Sequence, residues 1–306
     1  MFCVTTRRAV KAAAAAALTA VAVAVSLSAV PASAGPEEAA ALCSSARHQP
    51  VGGRITDRRV REASGLVRLG ESLWVHNDSG DQARLFRLSS SGSGDVRGEV
   101  RLPVSAADWE DASGSGRVGE VFVGDIGDNA AGRGSVTVMR FQVPDLWAYG
   151  VDYLPSSAVQ RITLRYPDGP RDAEALIVDP RTRDLVIIQK RHGGPSGVYW
   201  APEPDWRDGS ATLRRAGTVY TGSGDRAAPT AADIRPDGSV IAVRTYSSVL
   251  MIPRWSYQSV ATALVSNRAC WARSVDEPQG EAIVFSGGGY VTISEGGWAP
   301  INRFRP

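Results

Sequence analysis

Five acidic residues each open a short apolar run: Glu62 before Ala63-Ser64-Gly65-Leu66, Glu110 before Asp111-Ala112, Glu174 before Ala175-Leu176-Ile177, Asp233 before Ile234, and Glu281 before Ala282-Ile283. Between 11 and 16 residues after each acid comes a second charged group: Asp78, Asp125, Lys190, Arg244 and Glu295. Eight of these ten side chains are acidic and two basic, a balance of −6. If a fold gathers them, so many carboxylates must take up protons, pair with cations or bind a metal. Oxygen donors with no cysteine and few histidines among them favour Ca²⁺ over zinc or copper.

The expected metal ligands are therefore Glu62, Asn77, Asp78, Glu110, Asp125, Asp128, Asn129, Glu174, Asp233 and Glu281, with Trp109, Lys190, Arg244 and Glu295 on the same rim. Gly124-Asp125-Ile126-Gly127-Asp128-Asn129 and His76-Asn77-Asp78-Ser79-Gly80-Asp81 have the Asp/Asn/Gly density of calcium loops without the EF-hand spacing. The same residue types build turns, which is the competing reading of both segments. His76 with Ser79 and Asp81 supplies the residue types of a hydrolytic triad, but no nucleophile elbow accompanies them. His76 is the candidate catalytic residue, as a general base. Lys190-Arg191-His192 could bind an anion or form a solvated turn, and Trp298 is a second rim aromatic after Trp109.

What must position these groups is a repeat. The acids stand 48, 64, 59 and 48 residues apart, the period of a propeller blade. Between Glu62 and Glu110, turn residues separate four strand-like runs, 64–69, 73–76, 84–89 and 96–104. The later repeats follow suit, with an insertion around 144–155 and an ambiguous stretch, 257–265, that reads as strand or as one or two helical turns. After Glu281 only three strands fit, and the segment 50–60 resembles the missing fourth. The pattern predicts an all-β fold, a single β-propeller of five blades with six as the alternative, closed by the N-terminal segment. Equivalent residues of successive blades then ring one channel.

Residues 1–34 read as a secretory signal: Arg7, Arg8 and Lys11, an apolar run from Ala12 to Val30, and Ala32-Ser33-Ala34 as the cleavage site, with export by Sec or Tat. Residues 35–306 form the propeller domain. No other stretch is long enough for a membrane span. Removing the signal takes three basic residues and no acid from 34 and 32, leaving 31 against 32, about −1. Nothing in that balance suggests nucleic acid, and the mature protein is expected to be a monomer. Lys190 is the only lysine left, a scarcity that a coding bias toward arginine explains. Cys43 and Cys270 remain in an oxidising compartment, where a single pairing is open to them.

Glu62-Ala63-Ser64-Gly65-Leu66 resembles the acid-first inner strand of paraoxonase and gluconolactonase-type propellers. The resemblance implies Glu62 as first metal ligand, with Asn77, Asp125 and Asn129 as oxygen donors. Five-bladed calcium nucleotidases are similar in their acidic channel. Two functions follow as expectations. One is a secreted binding or scaffold propeller with Ca²⁺ at the channel mouth, taking a small-molecule, glycan or protein ligand. The other is a Ca²⁺-dependent hydrolase of an ester, lactone or phosphoester, with a rim carboxylate or His76 as base.

Overall fold

The structure is a computed structural model that describes residues 1, 34–49, 53–144, 149–204, 206 and 209–306. The expected export signal lies outside the described residues except for Met1 and Ala34. Helix α1 (Ala34–Ser45) and the short strand β1 (Arg47–Gln49) precede the first blade, β2 (Ala63–Leu69), β3 (Ser72–Asn77), β4 (Arg84–Leu88) and β5 (Val96–Arg101). The second repeat holds β6 (Trp109–Gly114), β7 (Glu120–Asp125), β8 (Val136–Gln142), β9 (Gly150–Tyr153) and β10 (Gln160–Arg165). The third holds β11 (Ala173–Val178), β12 (Leu185–Gln189), β13 (Ser196–Ala201), β14 (Ser210–Thr212) and β15 (Arg214–Val219). The fourth holds β16 (Pro229–Ile234), β17 (Val240–Thr245), β18 (Val249–Pro253), helix α2 (Val260–Leu264) and β19 (Cys270–Ala272). Last come β20 (Gly280–Ser286), β21 (Gly289–Ser294) and β22 (Ile301–Arg305).

These strands make five sheets, so the five-bladed reading stands over the six-bladed one. The insertion in the second repeat does not build another sheet: β9 returns to pair in parallel with β5 of the first blade, as β14 does with β10 of the second. Strand β1 completes the fifth blade by pairing antiparallel with β22. The closing strand is thus 47–49, ahead of the expected 50–60; among the described residues of that segment, 53–60, the Arg54–Pro300 bridge is the one that joins the sheet. The ambiguous stretch 257–265 resolves into α2, whose cap is Ser259 accepting from the Thr262 N–H at 3.0 Å.

Inner strands read as nearly continuous apolar runs because each is buried on both faces. Alternate residues serve the two neighbours: Ile241 and Val243 pack toward the third blade, Val240 and Ala242 toward the fifth. Five apolar clusters, one between each adjacent pair of blades, close the ring. Helix α1 lays Ala39 and Leu42 on the cluster between blades four and five. The Cys43–Cys270 disulfide, 227 residues apart in sequence, pins it there. Among the described residues no helix is long and apolar enough to cross a membrane.

Candidate metal site at the channel mouth

At one end of the channel every inner strand carries an irregularity in register. Pairing jumps between Ala63 and Leu66, Trp109 and Asp111, Ala173 and Ala175, Pro229 and Ala231, and Gly280 and Ala282. A bulge adds an unpaired residue and re-aims its side chain. The residues skipped are Ser64 and Gly65, Glu110, Glu174, Thr230 and Glu281, and these are the equivalent positions of the five blades. Two residues earlier stand Glu62, Asp108, Asp172, Ala228 and Gln279. Four of their carbonyls accept the N–H groups of Asp78 (2.8 Å), Gly127 (3.2 Å), Lys190 (3.0 Å) and Glu295 (2.9 Å), which brings the ends of the second strands to the same rim.

Carboxylate oxygens of Asp78, Asp108 and Glu110 lie within 4.8 Å of one another. Asp108 and Glu110 accept no side-chain hydrogen bond from any described residue. Gly127 lies directly against both carboxylates, and a Cβ there would collide with them, so the space beside the pair is kept open by a glycine. Oxygen-only donors, closely grouped around an open cradle, suit a hard cation.

The neighbours sharpen the electrostatics. Burial, reinforced by Glu174 and Asp78, pushes Glu110 up to about 11. Burial also raises Glu174, against the opposing pull of the Lys190 ammonium that pairs with its Oε1. Glu281 rises to about 9 through burial and the repulsion of Glu174. Asp78, Asp108 and Glu295 shift the same way, with burial the main cause. Without a cation Glu110 and Glu281 hold protons in neutral solution; a bound cation favours their ionised forms.

Other expected ligands are occupied elsewhere, because turn building claims them. Asn77 accepts the N–H groups of Arg61 (3.1 Å) and Glu62 (3.2 Å) and donates to Arg59 O and Asp81. Asp125 accepts from Ala107 N–H at 3.0 Å and pairs with Arg133 at 2.7 Å. Asp128 accepts the N–H groups of Gly132 and Arg133. Asn129 is exposed beyond this turn, and Glu62 is exposed on the rim.

Asp233 is placed in the wrong register by the acid spacing. Thr230 is its blade's equivalent of Glu110, whereas Asp233 lies three residues further along, accepting Phe285 N–H at 2.7 Å beside a cavity of about 360 Å³ at the opposite end of the channel. The Asp233 carboxylate that lines this cavity is thereby already committed. Arg244 is fully buried and paired with Glu277 instead of standing on the rim. Trp109 is 1% exposed, packed between the first two blades and edge-on to His76 at 5.4 Å. His76 itself is sealed: its Nδ1 faces Asn77 O at 2.8 Å, its Nε2 points toward the Asp111 backbone without a formed hydrogen bond, and burial lowers it to about 4.

Three acids absent from the expected set complete the picture. Asp108 and Asp172 occupy the outer tier, and the acid-x-acid pairs Asp108-Trp109-Glu110 and Asp172-Ala173-Glu174 are the signal that marks them. Asp111, fully buried, accepts N–H groups of Ala112 (2.9 Å), Leu176 (2.9 Å) and Ala232 (3.0 Å), lacing three inner strands together below the mouth.

No protein-family profile and no curated relative matches the chain. Among solved structures it is similar to a gluconolactonase from Xanthomonas campestris, at 13% identity and a TM-score of 0.44 over 80% of this chain and 72% of that one. It is also similar to the calcium structure of a Trichoderma reesei carbohydrate-active enzyme of family AA12, at 7% identity and a TM-score of 0.49 over 86% of this chain and 96% of that one.

Proposed function

We propose that this chain is an exported binding propeller whose channel mouth holds Ca²⁺ through Asp78, Asp108 and Glu110 and presents it to a small-molecule, glycan or protein ligand. The observation that carries this reading is the three-carboxylate group within 4.8 Å, drawn from two blades onto one rim, with no hydrogen bond to the carboxylates of Asp108 and Glu110 from any described residue. A bound Ca²⁺ would supply a Lewis-acidic point for ligand oxygens. The chain's own residues shape the place. Gly127 leaves the approach open, Lys190 neutralises Glu174, and Asp111 holds three inner strands in position beneath.

The hydrolytic alternative needs a base that reaches substrate. His76 is sealed within the first two blades, which leaves that role to a rim carboxylate, whereas binding needs no such group. Export is supported by the Cys43–Cys270 bridge, which suits an oxidising compartment.

The test is calorimetric titration of the purified protein with Ca²⁺, elemental analysis, and melting with and without chelator. At a free ion concentration of a hundred times Kd, binding contributes about 2.7 kcal/mol. For a protein of this size that raises Tm by roughly 5–10 °C. Asp108→Asn with Glu110→Gln should abolish the shift. A metal-free protein whose melting ignores chelator rules the site out, and Ca²⁺-dependent turnover on an ester and phosphoester panel would replace binding by hydrolysis.

A further inference from the structure

We infer that the same mouth carries a second subsite, beside the metal triad, for a small organic ammonium: Glu281 and Glu295 act as its counter-ions and Tyr246 as its aromatic wall. This rests on the binding reading above and names the ligand class for it. Glu281 is 6% exposed, yet no described residue gives its carboxylate a hydrogen bond or an ion pair. The Gly280 N–H donates to Tyr246 O at 3.2 Å and the Glu295 N–H to Gln279 O at 2.9 Å, which sets both residues beside the strand end that carries Glu281. A buried carboxylate with no partner, opening onto a channel, is half of an unmade ion pair. Nearby, Glu174 Oε2 is buried and unpartnered as well.

The structure already shows how an ammonium sits here. Lys190 Nζ pairs with Glu174 Oε1 and lies 5.5 Å from the centre of the Tyr246 ring. The His192 ring stacks on Tyr246 at 6.3 Å and 16°. Carboxylate beside aromatic face is the chemistry that recognises alkylammonium ions.

Charge points the same way. Glu62, Asp78, Asp108, Glu110, Asp172, Glu174, Glu281 and Glu295 face one another across the mouth with Lys190 the cation among them, so one Ca²⁺ leaves the ionised mouth strongly negative. Of the nearby arginines, Arg133 is neutralised by Asp125, while the exposed Arg61 and Arg226 keep their charges on backbone carbonyls, so the carboxylates still outnumber the cations around the mouth.

Calorimetric titration of the Ca²⁺-saturated protein with putrescine, at low salt and with citrate as the anionic control, tests the assignment. Putrescine should bind one per chain and citrate not at all. Glu281→Gln should weaken putrescine by about tenfold or more, and Tyr246→Ala by a few-fold, in line with the loss of one charge partner and one cation–π contact. Glu295→Gln, on the rim, gives a second reading should Glu281→Gln fail to fold. Loss of a charge beside the triad lowers Ca²⁺ affinity as well, so each variant is titrated with putrescine at Ca²⁺ concentrations that saturate that variant. Absence of putrescine binding, wild-type affinity in both glutamine variants, or putrescine that only displaces Ca²⁺ overturns the subsite. Repeating the titration in chelator separates the two ideas: amine binding that needs Glu281 without any Ca²⁺ binding leaves this subsite standing and removes the metal.

Discussion

Raising the pH of the cation-free protein from 6.5 to 8 should destabilise it, through carboxyl groups that the fold buries side by side. Glu110, Glu174 and Glu281 are 3%, 4% and 6% exposed, and burial raises all three; repulsion from Glu174 adds to the shift of Glu110 and Glu281, while Lys190 opposes that of Glu174. Their unfolded values lie near 4.5, whereas Glu281 folded lies at about 9 and Glu110 at about 11. A carboxyl raised in this way keeps a proton that the unfolded chain has released, so its contribution is full below the unfolded value and is lost as pH climbs to the folded one. His76 runs the other way. Lowered from 6.5 to about 4, it costs stability as pH falls through that range and nothing above it. The interval above 6.5 therefore isolates the carboxyls.

Each proton held only by the folded state lowers stability by about 1.4 kcal/mol per pH unit. One such proton removes about 2 kcal/mol across the interval, and two about 4. Asp233, raised to about 7 by burial, and the raised Asp111 add to the same slope, which therefore reports the number of buried carboxyls rather than any one residue; the glutamine variant and Ca²⁺ isolate the mouth's share. Urea unfolding in chelator, followed by tryptophan fluorescence at steps across the interval, measures it. Glu281→Gln preserves shape and should take one proton out of the slope. Saturating Ca²⁺ should flatten or reverse the decline, because the ion replaces protons as counter-charge. A cation-free stability that is level or rises from 6.5 to 8 would refute the premise that these carboxylates share one desolvated mouth.

Three further outcomes test the frame around the mouth. Replacing both Cys43 and Cys270 by serine opens a loop of 227 residues and should cost about 5 kcal/mol in urea unfolding; a loss under about 1 kcal/mol would show that α1 and β1 hold the ring unaided. Glu277→Gln leaves Arg244 buried without its counter-charge and should cost about 3–5 kcal/mol, much of it recovered when Arg244 is also replaced by methionine. Asp111→Ala strands three buried N–H groups and should cost about 3 kcal/mol, with hydrogen exchange accelerating first at Leu176 and Ala232.

Blade count, most strand positions and the cysteine pairing were legible because each depends on short-range pattern: β-branched runs between glycine-rich turns, repeated at a near-constant period, with two cysteines left to pair. The identity of the converging acids was only partly legible. Glu110, Glu174 and Glu281 were recognised, but they were aligned with Glu62 and Asp233, neither of which occupies their tier. The fourth repeat held a warning: its step of 11 from Asp233 to Arg244 breaks a rhythm of 14 to 16, whereas Thr230 to Tyr246 is 16. A bulge shifts register by one residue, and nothing in a single strand's composition announces it, because it is defined by what lies across the ladder.

Alone, the sequence determined that the chain must wrap apolar strands into a closed ring of five sheets and carry far more carboxylates than cations along the innermost ones. Tertiary structure alone decided which of those carboxylates meet. Turn hydrogen bonds claimed Asn77, Asp125 and Asp128, interstrand packing sealed His76 and Trp109, and the bulges aimed Glu110, Glu174 and Glu281 into the same opening. The physical reason is that side-chain direction and desolvation depend on partners distant in sequence, while strand formation depends on neighbours along it.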